Sequence, residues 1–131
     1  RLLWLFSRQA SVEIAPNIFV GGLLSCRSAR KFVLLGEVSV FDLSAELPEN
    51  AYFRTSADYH CFPLLDIATI PKACEERIVN MVLEKMKADE VPRKLYIHCA
   101  MGRFRSCRIG EAVLLTISKN LTRDKNGNRN I

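Results

Sequence analysis

Five residues separate Cys99 from Arg105 in the run His98, Cys99, Ala100, Met101, Gly102, Arg103, Phe104, Arg105, Ser106. The apolar residues Leu95, Tyr96 and Ile97 precede the run and read as a buried strand. An amphipathic helix follows, with Ile109, Ala112, Val113, Leu114 and Ile117 on one face. A loop in that setting can wrap a phosphate dianion, because the backbone N–H groups between strand and helix can all turn inward and the helix dipole adds positive potential. A thiol in such a field is expected to ionise more readily, within a range of roughly 3.5–7.5 against about 8.5 for a free cysteine. Cys99 is therefore the candidate nucleophile. Arg105 offers a planar fork that matches two phosphoryl oxygens, which a lysine cannot do. Gly102 permits backbone angles that a Cβ would resist. The Ser106 hydroxyl is placed to donate to the Cys99 sulfur and help it leave a covalent intermediate. His98 points the other way along the strand and is read as a support behind the loop.

A Cys-x5-Arg pair alone arises by chance in many chains, and a cysteine ending an apolar strand is usually a small buried hydrophobe. What weighs against that reading is the combination of preceding histidine, central glycine, following serine, upstream strand and downstream helix. The run His98-Cys99-x-x-Gly102-x-x-Arg105-Ser106 resembles the signature loop of the cysteine-dependent protein tyrosine phosphatases, in the dual-specificity branch. The stretches Asn17 to Gly22, Val40 to Ser44 and Tyr59 to Asp66 resemble flanking strands of the same family, so the similarity reaches from about Ile14 to Lys119. The resemblance implies two-step hydrolysis of phosphate monoesters with no metal or other cofactor. It also implies a substrate loop formed by Ala100, Met101, Gly102, Arg103, Phe104 and Arg105.

Asp66 is the expected general acid, since the leaving oxygen must gain a proton as the P–O bond breaks and a carboxyl on a mobile loop can supply it. Asp58 is the competitor, but it is expected before an apolar strand, Cys61 to Leu65, and so at the wrong end. Asp42 is expected to cap a turn or to order the floor of the site. Phe104 stands where the family usually carries a small residue, and its bulk is expected either to narrow the cleft or to form an apolar wall for substrate. Arg103 places a second cation in the loop. A phosphoprotein substrate is expected first, with the headgroup of a phospholipid or another non-protein phosphate ester as the alternative. An inactive phosphate-binding module is a third reading. A sulfur-transfer domain is disfavoured, because that chemistry does not call for an arginine and a serine at these spacings.

The elements needed to hold this loop are legible in outline. Ile18 to Val20 and Val38 to Leu43 read as strands, with a helix from Leu24 to Leu35 between them. Pro71 to Lys87 reads as a helix with Cys74, Ile78, Met81, Val82 and Met86 on one stripe and a proline in its first turn. Strands alternating with helices imply an α/β fold with a mainly parallel central sheet flanked by helices, phosphatase-like. A chain of 131 residues, 49% apolar and 25% charged, fits one domain with a modest core. The expected organisation is an N-terminal extension over 1–13, the catalytic domain over 14–120 and a polar tail over 121–131. Family domains continue into further helices, so the last helix is expected to be absent. That leaves three accounts of the exposed face: a truncated chain, a minimal fold, or a second copy covering it.

Five cysteines without metal-type pair spacing argue against a disulfide framework and a zinc site, and an intracellular, cytoplasmic setting is expected. Cys61 reads first as an inert core cysteine and second as a thiol that could protect Cys99 by a reversible disulfide. The net charge of +5 suits an anionic substrate. No nucleic-acid partner is expected, because aromatics do not interleave with the basic residues as a base-stacking platform requires. Residues 1–8, with Leu2, Leu3, Trp4, Leu5 and Phe6 between arginines, read first as a surface segment and second as a membrane-interface contact. The chain does not begin with Met and is read as a fragment.

Overall fold

The computed structural model describes residues 11–34, 36–44, 48–64, 69–87, 93–100 and 104–125. Strands β1 (Ser11–Ala15) and β2 (Ile18–Gly21) are followed by helix α1 (Cys26–Leu34), strand β3 (Val38–Ser44), helix α2 (Ala51–Ser56) and strand β4 (Asp58–Leu64). Helix α3 (Lys72–Lys87), strand β5 (Lys94–His98) and helix α4 (Arg105–Lys125) complete the order. The sheet runs β1-β2-β5-β3-β4, with β1 antiparallel to β2 and the remaining neighbours parallel.

Alternation along the strands divides the core in two. Ile18, Val20, Phe41, Leu43, Leu95 and Ile97 meet Ile78, Val79 and Val82 of α3 and Ile109 and Val113 of α4 on one face. Val38, Val40 and Tyr96 meet Ala29 of α1 and Phe53 of α2 on the other. Being covered on both faces is what makes these strands read as nearly continuous apolar runs. Phe32 of α1 fills the second core edge-on to Phe19, with ring centroids 5.1 Å apart.

Local signals explain the element ends. The two-residue turn Pro16–Asn17 closes the β1–β2 hairpin with Asn17 at φ 65°, a left-handed conformation that asparagine tolerates. The Glu13 carboxylate accepts the Asn17 N–H at 2.8 Å. Ser25 receives the Ser28 N–H at 3.2 Å and opens α1, two residues later than the sequence suggested. Asn50 caps α2, accepting from Phe53 N–H at 2.9 Å. Pro71 lies one residue before α3, and its carbonyl accepts the Glu75 N–H at 2.9 Å. In α4 an added Cβ on Gly110 would lie 2.8 Å from Val20 Cγ2 and 3.1 Å from Ile14 Cδ1, so the glycine lets this helix sit close on β2.

Three expectations need correction. Asp58 does not precede the strand but is the first residue of β4. It pairs with Lys85 Nζ at 2.8 Å and His60 Nε2 at 3.0 Å, and accepts the Ser39 hydroxyl at 2.9 Å. Burial alone would raise its pKa, but these partners outweigh it and hold the carboxyl well below the usual range. Ser11–Ala15, placed mostly in an extension, is the edge strand of the sheet. Helix α4 runs on to Lys125, through the first five residues of the expected polar tail. The Thr116 and Thr122 hydroxyls bond the carbonyls one turn back, at Ala112 and Ser118, and no Gly or Pro interrupts the chain until Gly127.

Candidate active site

β2, β3, β4 and β5 are parallel, and the start of α4 lies at their carboxyl ends, the position where open α/β sheets bind ligands. His98 ends β5 and Cys99 follows it. The Cys99 N–H donates to Gly21 O at 3.2 Å, and the Leu23 N–H donates to Ala100 O at 3.1 Å, so the start of the loop is stitched to the exit of β2. Arg105 and Ser106 open α4.

Of the four expected catalytic residues, Cys99, Arg105 and Ser106 lie within the described residues, and two of their side chains meet. Cys99 Sγ lies 3.3 Å from Ser106 Oγ, and both residues are buried. Arg105 is 2% exposed, and its guanidinium donates to Leu64 O at 3.0 Å where β4 ends. Burying a guanidinium costs several kcal/mol, offset here in part by the Leu64 carbonyl. Asp66, the expected acid, lies outside the described residues, as do Met101, Gly102 and Arg103 of the loop. Arg105 reaches Leu64, the last described residue before the segment that contains Asp66. Phe104 is 63% exposed directly beside the buried arginine. It therefore stands at the surface rather than filling the site.

Cys107 is also buried, one residue past Ser106, but it is a different kind of thiol. Burial, the nearby Cys99 sulfur and Glu111 push it up to about 12, so it stays protonated at neutral pH. Cys61 is exposed on β4, which overturns its reading as a core cysteine.

Behind the loop lies a buried polar network on the α1/α2 side of the sheet. His98 Nδ1 is 3.1 Å from the carbonyl oxygen of its neighbour Cys99, and His98 Nε2 contacts Glu49 Oε2. Asp42 Oδ1 is 3.8 Å from the same ring nitrogen. Asp42 is fixed in turn by the Ser44 N–H and hydroxyl, each at 2.9 Å, and by the Tyr59 hydroxyl at 2.5 Å. These bonds hold Asp42 near the end of β3, beside His98. Burial alone would lower the His98 pKa, but the hydrogen bond and charge of Glu49, then Asp42, outweigh it and raise the imidazole above its ordinary value. Tyr59 is held protonated by burial and by the Asp42 carboxylate.

Asp42, Glu49 and His98 offer ligand atoms within 4.8 Å of one another, a spacing that could hold a metal ion. Each of those groups is already engaged in hydrogen bonds, which closes the trio with protons. Sequence reasoning missed Glu49. Its only local signal was its position before Asn50, the α2 cap.

Solved structures share this arrangement of strands and helices. Tk-PTP in its active form superposes with a TM-score of 0.69 at 18% identity, covering 83% of this chain and 74% of that one. PTPMT1 in complex with PI(5)P gives 0.69 at 19% identity, with the same 83% and 74% coverage. A mouse dual specificity phosphatase candidate gives 0.65 at 20% identity over 81% of this chain and 64% of that chain. The chain has the fold of the cysteine-dependent protein tyrosine phosphatases. No protein-family model matches the sequence. No curated protein sequence matches it either. At such low identity the likeness is one of fold. Among the described residues, no helix is long and apolar enough to cross a membrane.

Proposed function

We propose that this chain hydrolyses phosphate monoesters through a cysteinyl-phosphate intermediate. The observation that carries the reading is the 3.3 Å approach of Cys99 Sγ to Ser106 Oγ between β5 and α4, with the buried Arg105 opening that helix. In the first step the Cys99 thiolate attacks phosphorus and the ester P–O bond breaks. Asp66 gives its proton to the departing oxygen. Arg105, with backbone N–H donors at the start of α4, holds the equatorial oxygens, where charge shifts as the phosphoryl group moves. In the second step water attacks phosphorus and gives a proton to the Asp66 carboxylate. The P–S bond then breaks, and the Ser106 hydroxyl donates to the sulfur as it leaves.

Dual-specificity action on phosphotyrosine and phosphoserine or phosphothreonine of proteins is the substrate class we infer first, in an intracellular setting. A phosphoinositide or another non-protein ester is the second. It is favoured by PTPMT1, solved with PI(5)P, and by Arg103, a second cation within the loop sequence. Hydrolysis of a small aryl phosphate, a phosphotyrosine peptide, a phosphothreonine peptide and a phosphoinositide tests both, with wild type, Cys99→Ser and Asp66→Ala compared without added metal. Turnover lost in Cys99→Ser and strongly reduced in Asp66→Ala supports the mechanism, and the preferred ester decides the class. A wild type that binds phosphate but turns over none of the four would overturn the enzyme reading in favour of a phosphate-binding module.

A further inference from the structure

We propose that Glu49 is a positioning residue for the anion loop: acting through His98, it fixes the first peptide of that loop in the orientation that an oxyanion requires. The inference rests on the reading of the Cys99–Arg105 loop as the phosphate site.

The geometry starts from Glu49. Its carboxylate is tied at Oε1 by the Asn50 N–H at 2.9 Å and the Asn50 side-chain amide at 3.1 Å. Asn50 is itself anchored, since its side chain caps α2 and also donates to Leu24 O at 3.2 Å, just ahead of α1. The other oxygen, Oε2, meets His98 Nε2. The opposite ring nitrogen faces the Cys99 carbonyl at 3.1 Å. A carbonyl can only accept, so Nδ1 carries a proton. The hydrogen bond and charge of Glu49 at Nε2 favour a second proton there, so that both N–H bonds of the ring are committed.

Its protonation has the surroundings it needs. Asp42 on β3 adds a second carboxylate at 3.8 Å, and Tyr59 on β4 hydrogen-bonds Asp42 rather than the ring. Tyr96 stacks on the ring with centroids 5.4 Å apart and sends its hydroxyl to Gly22 O. Cys99 contributes its carbonyl from β5's end. The balance of these groups raises the imidazole above its ordinary pKa, against the effect of burial.

The consequence lies in the next peptide. In a planar trans peptide the C=O and N–H point in opposite directions. Once His98 draws the Cys99 carbonyl toward the α1/α2 side, the Ala100 N–H is directed to the other side. There Cys99 packs with the residues of α3 and α4. A neutral His98 has one proton for two acceptors, and one of the two contacts is lost. Replacing the Glu49 carboxylate by an amide removes the charge that keeps the second proton in place, and the loop loses its oriented first donor at neutral and alkaline pH.

The chain has two histidines, His60 and His98, so 15N-detected ring spectra of uniformly labelled protein report the state directly, with His60→Gln giving the assignment. The expected result is a doubly protonated His98 at pH 7.5 in the wild type and a singly protonated ring in Glu49→Gln. Binding of inorganic phosphate or vanadate should weaken about tenfold in Glu49→Gln at pH 7.5 and recover toward wild type near pH 5.5. In turnover assays, kcat/KM of Glu49→Gln should fall more steeply than that of the wild type as pH rises through the neutral range. A neutral His98 in the wild type at pH 7.5 overturns the proposal without any variant needing to fold. Unchanged anion affinity in Glu49→Gln at every pH overturns it as well. A wild type that binds anion with this Glu49 dependence but shows no turnover would sink the phosphatase reading and leave the inference standing. A wild type that binds neither phosphate nor vanadate would sink both.

Discussion

Removal of the Ser106 hydroxyl isolates one step of the proposed chemistry. Ser106 is fully buried, and its Oγ lies 3.3 Å from Cys99 Sγ. Ser106→Ala deletes one donor and leaves a space smaller than a water molecule, so the effect on folding should be small. The hydroxyl matters most when the sulfur carries charge. In the first step that charge is being spent on phosphorus, whereas in the second it builds up on the departing thiolate. A hydrogen bond to a charged group is worth about 1.5–3 kcal/mol, which corresponds to roughly ten- to a hundredfold in rate. That loss should fall on hydrolysis of the phosphoenzyme. Stopped-flow with a chromogenic aryl phosphate should therefore show a burst approaching one product per enzyme, followed by a steady state slowed roughly ten- to a hundredfold. A variant whose burst phase slows as much as its steady state, or whose kcat matches wild type, would refute this division of labour.

Other consequences concern stability and the second cation. Gly110→Ala should lower stability by a net of up to roughly 2 kcal/mol. The new methyl enters the space of Val20 and Ile14, at an overpacking cost of about 1–3 kcal/mol, and the gain in helix propensity returns about 1 kcal/mol at most. A Tm that rises in thermal melts would contradict the close α4–β2 approach. The folded-state pKa of Asp58 is depressed, so the stability it contributes is present above its unfolded value of about 3.9 and is lost as pH falls below that toward the folded value. Denaturant titrations from pH 6 to pH 3 should therefore show a shallower loss for Asp58→Asn than for wild type, and parallel curves would refute it. Arg105→Lys should keep the fold but weaken vanadate binding by tenfold or more, since an ammonium cannot reproduce the planar fork; equal affinity by isothermal titration would argue against a bidentate clamp.

The parts of this molecule that could be read from sequence are those whose signals are local. Leu95 to Ile97 is apolar because both faces of β5 are covered, and the spacing from Cys99 to Arg105 is set by one loop, so both survive in a linear reading. Helix α3 was similarly plain, as Ile78 and Val82 lie on one stripe and are buried. Helix α2 was not. It has six residues, and it holds together through the Asn50 cap and the burial of Phe53 beneath α1, both visible only once the chain has folded. The end of α4 was misjudged because a solvent-facing helix and a polar tail share a composition. Glu49 is the clearest case of information absent from the local sequence. It is an ordinary acidic residue until β5 brings His98, 49 residues later, against it.

The central claim is that phosphate passes through Cys99, and trapping that intermediate tests it most directly. Ser106→Ala protein mixed with an aryl phosphate, quenched in acid within the burst and digested, should yield a peptide containing Cys99 with the mass of one added phosphoryl group, and Cys99→Ser should yield none. Turnover that proceeds with no phosphorylated Cys99 peptide, or that persists in Cys99→Ser, would contradict the account.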